Sequence, residues 1–172
     1  MRVNKFLGTL AVIVLLASGA ALSKSMPLSM IGVGPHGYDF AFGTWSCRNT
    51  VPTRVSGPTT GTSTNSRTAG GALFARVISG SYDVSFYTVY SPKTKTWLSP
   101  GAYSDGSYEF ESARQTGAKV VWSGTFYDAA SGQTHPVRDI YTYPNLMTSI
   151  DVTQVQTGGT WRTVGNTTCK KS

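Results

Sequence analysis

The stretch "YDVSFYTVY", residues 82–90, alternates with a period of two. Tyr82, Val84, Phe86 and Tyr90 share one side of an extended chain, and Asp83, Ser85 and Tyr87 share the other. That is the pattern of a strand with one face in a core. The same signal recurs on either side of it. Upstream, Leu73, Ala75 and Val77 are in phase, and Ser79, Gly80 and Ser81 form a tight turn into residue 82. Downstream, "SPKTKT" turns the chain into Trp97 and Leu98, and "PGAYSDGS" turns it again before Tyr108 and Phe110. Residues 118–127, "AKVVWSGTFY", place Ala118, Val120, Trp122 and Phe126 in phase, with Gly124 as a missing side chain that suits a bend or bulge. After "DAASGQTH" come residues 137–143, a break at Pro144, and an alternating face of Leu146, Thr148, Ile150 and Val152. Gly158 and Gly159 lead into "TWRTVGNTTC", where Trp161 is in phase with Cys169.

On the N-terminal side, residues 40–51 read as the first strand, with Trp45, Cys47 and Val51 on one side and Ser46 and Arg48 on the other. Residues 54–70 lack apolar periodicity and are expected to form a long polar loop, with irregular edge pairing around 60–66. Eight to ten short strands joined by turns, without helical periodicity, predict an all-β domain. Hairpin-linked neighbours favour an antiparallel up-and-down barrel over a sandwich, and closure also removes exposed edges.

The first residues carry a different message. Arg2 and Lys5, the apolar run "FLGTLAVIVLLASGAAL" and the polar Ser23, Lys24 and Ser25 form the three-part pattern of a secretory signal. Residues 1–21 are therefore expected to be removed, leaving a lead-in over 22–37 and a barrel domain over 38–172. About 150 residues suffice for one domain with its own core. The expected location is periplasmic or secreted, with no stable transmembrane insertion of the mature chain.

The only two cysteines, Cys47 and Cys169, enclose nearly all of this domain, and an oxidising compartment would preserve a bond between them. Closing so long a loop contributes roughly 4–5 kcal/mol in the chain-entropy treatment. Loss of Arg2 and Lys5 leaves 13 basic against 8 acidic residues, a formal +5. Because these charges are scattered singly, nucleic-acid binding is not expected. A monomer is the simplest expectation for a closed barrel.

Two series carry a resemblance. The Gly43, Thr44, Trp45 step is similar to the Gly-x-Trp of the first strand in lipocalins and other calycins. The longer series adds Asp39, Phe40, Trp97, Asp105, Gly106, Trp122, Ser123, Gly124, Trp161 and Cys169. It resembles exported bacterial lipocalin-like β-barrel proteins of largely uncharacterised function. The resemblance implies a barrel with Trp45 packed at its base, and it implies no reaction. Gly43, Trp45 and Trp161 are accordingly read as structural.

Catalytic and metal chemistries find little support. His36 and His135 are the only histidines, too few for a zinc site once both cysteines are paired, and His135 precedes Pro136 at a turn rather than in a haem-ligand setting. No G-x-S-x-G elbow occurs. Glu109 and Glu111 share one side of their strand, but Tyr108 and Phe110 read as its core side, so the acidic pair is expected on a solvated face. No cofactor and no enzymatic activity are expected.

What remains is aromatic supply. Phe86, Tyr108, Phe110, Trp122, Phe126 and Tyr141 are expected to line a cavity, with Arg76 or Arg138 as a handle for a carboxylate or phosphate. The function predicted is binding of a small apolar or amphipathic molecule. The alternative is a filled barrel that binds protein or glycan through its surface.

Overall fold

A computed structural model describes residues 26–51, 60–79 and 82–172. The signal-like run, the polar residues 52–59 and the turn at Gly80 and Ser81 lie outside the described residues. Ten strands follow two single-turn 3-10 segments, Leu28–Met30 and Asp39–Ala41. They are β1 (Gly43–Val51), β2 (Thr60–Arg67), β3 (Leu73–Ser79), β4 (Tyr82–Ser91), β5 (Thr96–Tyr103), β6 (Tyr108–Ala113), β7 (Lys119–Asp128), β8 (Gln133–Asn145), β9 (Thr148–Thr157) and β10 (Thr160–Lys171).

Each strand pairs antiparallel with its successor, and β1 pairs with β10, so the meander closes into a barrel. In the closing ladder Cys47 stands directly opposite Cys169, and the two are joined in a disulfide. The covalent link therefore spans the one seam where the chain's ends meet. No helix among the described residues is long and apolar enough to cross a membrane.

Most strands form where alternation predicts, but β2 does not. Residues 60–67 are expected within a loop with irregular edge pairing around 60–66, whereas they pair regularly with both β1 and β3. Its inward positions Gly61, Ser63 and Asn65 face a cavity rather than a packed core, so the strand carries no apolar period. Gly124 is a second departure. The β6–β7 register runs unbroken past it, and a Cβ there would stand 1.8 Å from the Phe110 carbonyl oxygen. The glycine permits close approach of two backbones, not a bulge. The irregularity of the last strand falls instead between Thr163 and Gly165, and it breaks the phase of Trp161 with Cys169.

The lead-in forms a plug. Residues 26–42 fold across one end of the barrel and bury Ile31 and Phe40 almost completely, at 0% and 1% exposure. Its backbone is tied to the wall through donors on several strands. Trp97 Nε1 donates to Gly32 O (2.8 Å), Trp45 Nε1 to Ala41 O (2.8 Å) and Lys171 Nζ to Phe40 O (2.8 Å). The β6–β7 loop adds Gly117 N to Ile31 O (2.8 Å), and Arg67 pairs with Asp39 at the rim. Tyr38 meets Trp97 edge-on at 4.9 Å, and Phe40 meets Tyr143 edge-on at 5.3 Å. Together with Trp45, Cys47, Ala113, Val120, Trp122 and Leu146 these residues form the main apolar cluster. A smaller cluster of Phe126, Val137 and Val155 lies farther along the barrel, flanked by Tyr103 and Val164.

Candidate functional site

The positions between these two clusters are acidic. Along β8 the inward residues run Val137, Asp139, Tyr141, Tyr143, so Asp139 lies between a residue of the small cluster and one of the large. Along β6 they run Glu109, Glu111, Ala113. A cavity of about 260 Å³ adjoins this layer. Glu111, Asp139 and Asp151 form its acidic side, Thr88, Ser99 and Ser63 its neutral polar side, and Phe86, Trp122 and Tyr141 its aromatic side.

The sequence placed Tyr108 and Phe110 inside and the glutamates outside, and here the structure reverses it. Glu109 and Glu111 are only 3% and 4% exposed, whereas Tyr108 and Phe110 are 56% and 50% exposed. The register explains the reversal. Buried Trp97 pairs with Ala113, Ser99 with Glu111 and Gly101 with Glu109, so these positions share the inner face. Outside, Tyr108 stacks on Tyr127 with ring centroids 4.9 Å apart. The expected face of Ile150 and Val152 on β9 is likewise replaced, because Ser149, Asp151 and Thr153 line the cavity.

One carboxylate atom each of Glu109, Glu111 and Asp139 lies within 4.8 Å of the other two. Glu109 accepts a hydrogen bond from Tyr103 Oη at 2.7 Å. Burial, then the neighbouring Asp139, Glu109 and Asp151, raise the Glu111 pKa well above the ordinary 4.5, which favours its protonated form and a carboxyl–carboxylate hydrogen bond with Asp139. Glu111 Oε1 and Asp139 Oδ1 remain without a hydrogen-bond partner. Tyr141 is also held well above its ordinary range, first by the Asp151 charge and then by burial. Thr88 and Ser99 hydroxyls meet at 2.9 Å across the β4–β5 ladder, and Gly101 leaves room for the Phe86 ring, which a Cβ would meet at 2.6 Å.

Of the residues expected to bind a ligand, Phe86, Trp122 and Tyr141 come together on the cavity wall. Phe126 faces inward but packs in the smaller cluster. Arg76 and Arg138 do not reach the interior. Arg76 makes a two-pronged pair with Asp83 on the outer face, at 3.0 and 2.5 Å. Arg138 donates to Gln154 Oε1 at 2.7 Å and lies over Trp161, 4.3 Å from the ring centroid. Each arginine follows the outward phase of its strand, β3 or β8. Trp161 is thus an outer-surface residue, while Trp45 packs as expected. Gly43 takes a positive φ of 112° at the start of β1, a backbone conformation suited to glycine.

The residues that sequence reasoning missed are Glu109, Glu111, Asp139 and Asp151. For Glu109 and Glu111 the signal lay in the β5–β6 register, which sets them on the face of Trp97 once 97 pairs with 113; Asp139 and Asp151 carried none. Compared with protein-family models and with curated proteins, the chain matches none.

Proposed function

We propose that this protein is an exported, non-enzymatic barrel that holds a small amphipathic molecule in its interior. The observation that carries the proposal is a cavity whose walls combine Phe86, Trp122 and Tyr141 with buried polar groups. Binding sites for small molecules likewise combine apolar and aromatic walls with placed polar groups. At about 260 Å³ the space fits a compact ligand better than a long-chain lipid. The Cys47–Cys169 bond and the signal-like run support an oxidising location outside the cytoplasm.

Native mass spectrometry tests this on protein recovered gently from its own compartment. The expected result is a bound mass of small-molecule size that is lost on denaturation. A clean ligand-free mass, repeated after incubation with lipid and metabolite extracts, sinks the carrier reading.

The outer wall favours a second reading. Ile78, Tyr87, Val89, Tyr108 and Phe110 are large exposed apolar residues on strands β3, β4 and β6, one sector of the outer wall. Such a patch suits a protein or glycan partner. Pull-down with the Tyr108→Ser/Phe110→Ser variant separates the two, since this change leaves the cavity wall intact.

A further inference from the structure

Resting on the reading that the cavity is a binding site, we infer that its ligand is a small organic cation. An amine or quaternary ammonium on an apolar or aromatic body is the class the site fits. Glu111 and Asp139 both line the cavity, both are more than nine-tenths buried, and Glu111 Oε1 and Asp139 Oδ1 lack a hydrogen-bond partner. Buried polar atoms in folded proteins are nearly always paired, so two unpaired carboxyl oxygens on one cavity wall mark where a donor belongs. An ammonium brings up to three N–H donors and the compensating charge.

The protein's own cations do not supply that charge. No ion pair among the described residues involves Glu111 or Asp139, and both arginines once expected as inward handles are engaged on the outer surface. The handle inside is therefore acidic, and it selects the opposite ligand charge from the one the sequence suggested. The remaining walls agree. Trp122, Tyr141 and Phe86 present rings to the same cavity, and aromatic faces attract cations, most strongly where water is excluded. A calcium or magnesium ion alone would take six or more oxygens in a tight shell, a poor match to an aromatic-walled space of about 260 Å³.

The test uses the full disulfide-bonded protein and calorimetric titration with matched probes. Hexyl and phenylpropyl bodies are each offered as the amine, the alcohol and the carboxylate, and calcium chloride is titrated separately. The expected result is that each amine binds at least about tenfold more tightly than its alcohol and carboxylate counterparts. In the Glu111→Gln/Asp139→Asn variant this preference is expected to disappear while weak binding of the alcohols persists. Should that variant not fold, the series on the unaltered protein decides alone. Carboxylates or alcohols binding as well as amines would overturn the cation assignment and leave the carrier reading standing. Calcium binding without amine binding would replace the organic cation with a metal. Absence of binding by any probe would overturn both readings.

Discussion

At the scale of single residues, Glu111 sets the chemistry of the interior. Its carboxyl keeps its proton to higher pH in the fold than in the unfolded chain, because burial and the facing Asp139, Glu109 and Asp151 disfavour its charged form. Folding therefore takes up a proton. The favourable share is complete below the ordinary value of 4.5 and is lost as pH rises from there toward the raised folded-state value. Glu111→Gln removes the titration while keeping the shape. In ligand-free protein it is expected to favour the fold at pH 7 by at least about 1 kcal/mol more than it does near pH 4. Urea midpoints at the two pH values check this, and an equal effect at both would show that Glu111 is ionised in the fold. Nothing in the hydropathy of "YEFESA" reveals this role. Alternation defines two faces without saying which is inside, and the ordinary preference for buried aromatics points the wrong way wherever the interior holds a polar cavity. Trp45 and Trp122 were legible as inward residues because the alternation of their own strands places them there, and both are buried.

Among the elements, strands whose inward positions carry large apolar side chains were legible, and strands whose inward positions are small or polar were not. β4 and β7 carry Val84, Val120, Trp122 and Phe126 in clean phase. β2 offers only Gly61, Ser63 and Asn65 inward, and the inner side of β9 runs Ser149, Asp151 and Thr153. Both have the sequence of a loop or of an outer face. The clearest test of an element contact is Gly124 in β7. An alanine methyl would overlap the Phe110 carbonyl of β6, and a backbone atom cannot rotate away as a flexible side chain would. Gly124→Ala is expected to destabilise the barrel by about 3 kcal/mol or more, at or beyond the upper end of overpacking costs. Thr125→Ala, one position along and exposed, is expected to remain within about 0.5 kcal/mol of the unaltered protein. Denaturation curves for the pair separate a steric requirement at residue 124 from a general weakness of β7.

For the whole molecule, the decisive arrangement is a barrel stoppered by its own lead-in. Phe40 joins the plug to Tyr143 on β8, and its backbone carbonyl receives Lys171 from β10. Truncating a buried phenylalanine typically costs about 3–5 kcal/mol, and Phe40→Ala is expected to fall in that range. The loss should be local first. Hydrogen exchange is expected to show Gly32 and Gly117 amides, which bond across the plug, losing protection well before the β7–β8 ladder does. Uniform loss across the barrel would instead make plug and wall one cooperative unit. The charge distribution also belongs to this scale. Four of the eight acidic residues, Glu109, Glu111, Asp139 and Asp151, face the interior, so among the described residues the outer wall sets only Asp39, Asp83, Asp105 and Asp128 against its lysines and arginines.

The plug also has a history in time. Its residues leave the ribosome ahead of every strand, yet the groups that hold it come from β1, β5, the β6–β7 loop and β10. The earliest segment to be made among these is thus among the last to be seated. Until β10 arrives, Ile31, Tyr38 and Phe40 have no finished site, and β1 is an open edge without its second neighbour. Such long-range closure is slow and leaves apolar surface exposed while it waits. A nascent chain of this design depends on being held apart from its copies for as long as its final strand is missing.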